Sequence, residues 1–252
     1  MIGVVAALNI TLGLVYCQYG TMTIIEMKRG WRTLGFSHFG AAWIFMAFTC
    51  GPHHLVHGLH LAVGGHPAGV LDLIVVLIGF PAGVAWFLLR VEAFNGGRGD
   101  RFMPGNPLWL MLVPMASSAY LTAIGAALVG HDSTVRFAWF AVPNVLLVGI
   151  YMTIGYYLVR TQIGNRNPLG GWSLSGVSLA TIFPTCAIMH GIFAYYATTG
   201  LYRFEIGEFV IDCLAVPSGL YFLWVVHGLY RNAIRDWNRD TPSLAQPVVA
   251  GR

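Results

Sequence analysis

The chain has 252 residues, of which 56% are hydrophobic and 10% charged, and its mean hydropathy is +0.66. Soluble domains carry about 25% charged residues, so these values exclude an ordinary soluble domain and indicate an integral membrane protein. The net charge of +4 and the pI near 9.0 do not point to nucleic acid. The basic residues gather in short segments between apolar runs, where membrane topology accounts for them.

Seven apolar runs are each long enough for a helix of about 20 residues across a hydrocarbon layer of about 30 Å. They lie near residues 2–24, 37–63, 68–92, 107–130, 135–160, 173–199 and 206–231. The expected fold is therefore all-α, a polytopic bundle of seven transmembrane helices. Residues 1–236 form one domain and 237–252 a disordered cytoplasmic tail. The first run has no basic segment before it and is expected to be a retained span, not a cleaved signal. Lys28, Arg29 and Arg32 follow run one, Arg90, Arg98 and Arg101 follow run three, Arg160 and Arg166 follow run five, and Arg231, Arg235 and Arg239 follow run seven. The other connections hold only Arg136 and Arg203. This alternation predicts an external N-terminus and a cytoplasmic C-terminus. Arginine is used almost to the exclusion of lysine, a bias of GC-rich bacterial genomes, so the expected location is a bacterial inner membrane.

Run one carries Cys17 and an Asn9-Ile-Thr11 sequon that is buried in the span and carries no glycosylation expectation. Run two holds Cys50-Gly-Pro-His-His-Leu-Val-His-Gly-Leu-His60. At about 100° per residue, His53, His57 and His60 fall on one helical stripe while His54 points elsewhere. Ionisable groups inside a membrane are costly enough to mark a functional site. The connection from Asn95 to Pro107 is dense in turn formers and reads as a flexible connector. It lacks the strand and the lysine of a phosphate-binding loop. Run six contributes His190 and run seven Glu205, Glu208, Asp212 and His227. Prolines 52, 81, 114, 143, 184 and 217 are expected inside six of the spans. The carbonyls freed near Pro52 and Pro184 are candidates to orient His53 and His190. Cys17, Cys50, Cys186 and Cys213 form no C-x-x-C pair and read as small hydrophobes, not disulfides.

The steps Val56-His57-Gly58-Leu59, Met189-His190-Gly191-Ile192 and Val226-His227-Gly228-Leu229 share a His-Gly pair. Such a pair suits close approach of a neighbouring helix or of a flat macrocycle. Depth then sorts the histidines into two layers. The outer layer comprises His53, His57, His60 and His190, with Asp212 as a further metal ligand and Glu208, Asp72 or His66 beside it. The inner layer is the pair His38 and His227. Imidazoles with a carboxylate suit iron or zinc, and imidazoles near Cys50 or Met189 suit copper. Facing histidines would instead take haem b, with His57 and His190 as the outer pair and His38 and His227 as the inner one.

No HExxH, no desaturase histidine boxes and no retinal-binding lysine in run seven are present. The histidine spacing of four-helix dihaem cytochromes is also absent. Only Met189-His190 carries the Met-His step of seven-span bacterial sensors, so no family follows from it. Catalytic residues are not assignable from sequence. The leading expectation is a histidine-ligated metal or haem centre in the outer half of the bilayer, used in redox chemistry or electron transfer, with metal-dependent hydrolysis as the second reaction class. The alternatives are a histidine-lined transporter or sensor for metal ions or protons, or a subunit that packs beside a catalytic partner. Expected partners are membrane lipid, a lipid-phase substrate or quinone, and a separate protein supplying electrons or output.

Overall fold

The computed structural model describes residues 1–64, 66–131 and 137–233. The expected tail at 237–252 lies outside the described residues, as do Arg136, Arg235 and Arg239. Seven long helices follow one another: α1 (Ile2–Leu34), α2 (His38–Ala62), α3 (Val70–Phe94), α4 (Leu108–His131), α5 (Val142–Asn165), α6 (Leu174–Thr198) and α7 (Ile206–Tyr230). All but α2 are long and apolar enough to cross a membrane. The 25-residue α2 falls short because it spends five positions on His38, His53, His54, His57 and His60. The all-α polytopic fold expected from composition is the fold observed.

Helix ends depart from the hydropathy limits where local chemistry, not the bilayer, stops the helix. α1 continues ten residues beyond position 24, because Glu26, Met27, Lys28 and Arg29 are adequate helix formers that carry it through Gly30, and it stops at Gly35, whose φ is +75°. Pro143 sits in the first turn of α5, where its missing N–H is harmless, so it kinks nothing. A 3-10 turn, Trp139–Ala141, precedes it. The Ser37 hydroxyl caps α2 by accepting from Gly40 N at 2.9 Å. Asp72 caps α3, accepting from Gly69 N at 2.7 Å.

The connection expected to be flexible is instead pinned. β1 (Phe102–Met103) pairs antiparallel with β2 (Trp172–Ser173), placing Phe102 opposite Ser173 and Met103 opposite Trp172. Asp100 accepts from the Ser173 hydroxyl at 2.6 Å and from Ser175 N at 2.9 Å, at the start of α6. Trp172 Nε1 donates to Gly105 O at 2.8 Å. The ladder is two residues long, too short for a periodicity signal.

Six helices close a ring in the order α1, α2, α7, α5, α6, α3, and α4 lies outside against α6 and α5. The α1–α2 seam brings backbone against backbone. A methyl on Gly13 would stand 2.7 Å from Gly51 O, and one on Gly58 would stand 2.9 Å from Ala6 O. Of the three His-Gly steps, Gly58 thus serves a neighbouring helix. Gly191 has room, with only Val148 at 3.7 Å. The ring interior has two storeys. Near the arginine-bearing connections it is aromatic, with Trp43 ring centroids 4.0 Å from Trp86, 5.2 Å from Tyr19 and 5.8 Å from Phe222. At the other end, where α2 and α6 finish and α1, α3 and α7 begin, it is filled by histidines and carboxylates.

Candidate metal centre

The α2 stripe faces into the ring, and its members meet different partners. His53 Nδ1 lies 2.9 Å from Asp212 Oδ1 of α7, and its ring centroid lies 5.0 Å from that of His190 of α6. One ligand atom from each of His53, His190 and Asp212 falls within 4.8 Å of the others. His57 turns instead toward His66 and Tyr202, each at 6.2 Å between ring centroids, and belongs with His66 and Glu208. His60, half-buried, sets Nδ1 at 2.7 Å from Glu208 Oε1 and Nε2 at 3.1 Å from Glu205 Oε2. His54 leaves the stripe and reaches α1, with Nδ1 2.7 Å from Asn9 Oδ1.

Asn144 of α5 fixes the chemistry of the first group. Its Nδ2 donates to Asp212 Oδ2 at 2.6 Å, so its Oδ1 must accept from His190 Nδ1 at 2.6 Å. That bond assigns the tautomer: His190 carries its proton on Nδ1 and presents the Nε2 lone pair. One amide therefore orients an imidazole and a carboxylate at once, the outer-shell arrangement that metal sites use. The expected backbone carbonyls near Pro52 and Pro184 do not take this part; side chains from neighbouring helices do.

The polar atoms left over are concentrated here. Among the described residues, nine buried side-chain nitrogens and oxygens have no hydrogen-bond partner. Six of them belong to this cluster: His53 Nδ1, His57 Nδ1, both ring nitrogens of His66, Glu208 Oε2 and Asp212 Oδ1. Each such atom costs about 1–3 kcal/mol when nothing satisfies it, so six in one place call for a polar occupant, a bound cation or ordered water. His53 Nδ1 and Asp212 Oδ1 approach to 2.9 Å without hydrogen-bond alignment. Adjacent ligands of a six-coordinate ion, each about 2.1 Å from it, stand about 3 Å apart.

No family model, curated protein or solved structure matches this chain. The donor set itself is the guide to the ligand. Two imidazoles and one carboxylate with further positions open fit a divalent ion such as zinc or iron(II). Cys50 and Met189 lie nearby, lining a small cavity with His53 and His190, and Cys50 joins no group of three ligands among the described residues. The outer pair expected for a bis-histidine haem is His57 and His190; His53 packs beside both, at 6.5 and 5.0 Å between ring centroids. At the opposite end His38 bonds Tyr221 at 3.1 Å and His227 packs on Tyr157 at 5.0 Å. Neither belongs to any group of three ligands among the described residues.

Two further residues escaped the sequence reading. Tyr202, in the connection before α7, stacks on His66 at 4.1 Å and 16° and donates its hydroxyl to Pro67 O at 3.1 Å. Burial holds its phenol well above the ordinary value, so it stays protonated. Asn144 was visible only as a polar residue in an apolar run. Burial pushes the His66 imidazole below its usual range, against the pull of Glu208. Asp72 is engaged elsewhere, capping α3 and accepting from the Tyr196 hydroxyl at 2.9 Å.

Proposed function

We infer that this integral membrane protein holds a divalent transition-metal ion through His53, His190 and Asp212, in the outer half of a bacterial inner membrane, for redox chemistry. The observation that carries the reading is the convergence of those three buried side chains with Asn144 orienting two of them. An ion held by three protein ligands keeps positions open for a reacting molecule. Beside the group lies a small cavity walled by His53, His57, Met189, Ile192, Phe193 and Tyr202. Asn9 and Asp72 also line it, and its space is that of a water, so a lipid-phase substrate such as a quinone would approach the ion only by displacing these walls.

Transport is the weaker reading. Below the histidines the next cavity is lined by Tyr16, Trp43, Tyr151 and Phe183 with Cys50 and Cys186, and an ion crossing there would find aromatic rings, two thiols and no imidazole or carboxylate. Electrons in this reading come from a separate protein, and the basic connections and C-terminus face the cytoplasm.

Elemental analysis of the detergent-purified protein tests the reading, together with optical and EPR spectra before and after dithionite. Stoichiometric iron or another redox metal, lost in Asp212→Asn, is the expected result. A folded Asp212→Asn protein with undiminished metal content would sink it. A Soret band would replace it with haem.

A further inference from the structure

The group of His53, His190 and Asp212 uses only part of the polar cluster. Nearer the start of α7, His57, His66 and Glu208 also offer one atom each within 4.8 Å of one another, and no residue is shared between the two groups. All three are more than nine-tenths buried, at 7%, 5% and 3% exposure. His57 Nδ1, both His66 nitrogens and Glu208 Oε2 lack hydrogen-bond partners.

The construction repeats that of the first group. There Asn144 ties up one oxygen of Asp212 and leaves Oδ1 bare. Here His60 ties up Glu208 Oε1 at 2.7 Å and leaves Oε2 bare. In both, two imidazoles face a carboxylate whose second oxygen is held from a different helix. The Tyr202 ring, stacked on His66, fixes the plane of that imidazole. A protonated His66 would be ion-paired with Glu205 Oε1 and Glu208 Oε1, each at 3.7 Å, but hydrogen-bonded to neither, and Glu208 Oε2 and His57 Nδ1 would still be bare.

We propose that His57, His66 and Glu208 form a second divalent transition-metal site, distinct from that of His53, His190 and Asp212, with His60 positioning Glu208. The donor set holds no thiolate, so it takes zinc, iron(II) or manganese(II) in preference to copper(I). Glu205, at 41% side-chain exposure and 3.1 Å from His60 Nε2, places a carboxylate at the mouth, where a hydrated ion arrives. The second site is therefore the one that exchanges metal with the aqueous phase.

The test is a Co²⁺ titration of the full-length protein, stripped with a chelator in detergent, with the visible d–d bands reporting ligand geometry. Two ions per chain are expected. His66→Gln keeps one and Asp212→Asn keeps the other, each losing a different set of bands. His60→Gln retains both ions but weakens the second site by about 10–100-fold, as loss of an outer-shell partner does. Circular dichroism and size-exclusion elution verify folding, and the isosteric Glu208→Gln replaces His66→Gln if that variant does not fold. One ion lost in Asp212→Asn and untouched by His66→Gln overturns the second site and leaves the first. One ion lost in both variants means a single shared centre and also overturns the proposal. No bound Co²⁺ overturns both sites.

Discussion

The half of the ring near the arginine-bearing connections and the half near the N-terminus are filled by planar side chains of opposite chemistry. In the first, Trp43, Trp86, Tyr19 and Phe222 meet tilted or edge to face at centroid distances of 4.0–5.8 Å, and of these four rings only Trp43 leaves a buried polar atom, Nε1, without a hydrogen-bond partner. In the second, His53, His57, His66 and His190 pack at 5.0–6.5 Å, yet four of their ring nitrogens and one oxygen each of Asp212 and Glu208 lack hydrogen-bond partners. Aromatic packing closes on itself, whereas the imidazole layer is complete only with something added. Stability therefore belongs mainly to one half and binding to the other.

The sharpest way to break that division is Trp43→Ala. It should cost about 3–5 kcal/mol through the cavity it opens, seen as a large fall in unfolding temperature, while the metal content of the surviving folded fraction stays at wild-type stoichiometry. A loss of metal in proportion to stability would show the two halves to be coupled. Removing metal should act in the opposite sense. Chelation of the wild-type protein should lower its stability by about 2.7 kcal/mol relative to metal held at a hundred times its dissociation constant. The same treatment of Asp212→Asn should give a clearly smaller drop in unfolding temperature.

Asn144→Ala sharpens the comparison inside the metal half. It leaves every ligand in place but frees His190 and Asp212 to rotate, so affinity at that site should fall by about 10–100-fold with stoichiometry intact at saturation. A competition titration against a chromophoric chelator reads it, and unchanged affinity would make Asn144 a mere packing residue. Smallest of all is Tyr202→Phe, which removes one hydrogen bond to Pro67 O and keeps the stack on His66. About 1 kcal/mol of stability is expected, with metal binding essentially unaltered.

The spans were legible because a bilayer imposes one length and one chemistry on each helix, and those appear in every residue of the run. The histidine stripe was legible for a similar reason, since helical geometry alone puts His53, His57 and His60 on one side and His54 on the other. What lay beyond the sequence was the partner of each. Whether His190 meets His53 or His57 depends on the relative height of α2 and α6, which no local pattern encodes. Asn144 gained its place from the closure of the ring, which sets α5 beside both α6 and α7. His66 and Tyr202 sit in connections, where neither hydropathy nor periodicity speaks. The ordered β1–β2 ladder was hidden by its brevity.

The glycine seam between α1 and α2 bears on how the protein is made. α2 is the one long helix without the apolar character to enter a bilayer by itself, since its polar stripe opposes partitioning into lipid. α1 is synthesised before it and offers, through Gly13 facing Gly51 and Ala6 facing Gly58, a surface that α2 can meet backbone to backbone. The two are thus suited to leave the translocon as a single hairpin, the earlier helix shielding the later. A bulky side chain at Gly51 or Gly58 would then show itself first as a defect of insertion, with α2 stranded outside the membrane, before any question of metal arose.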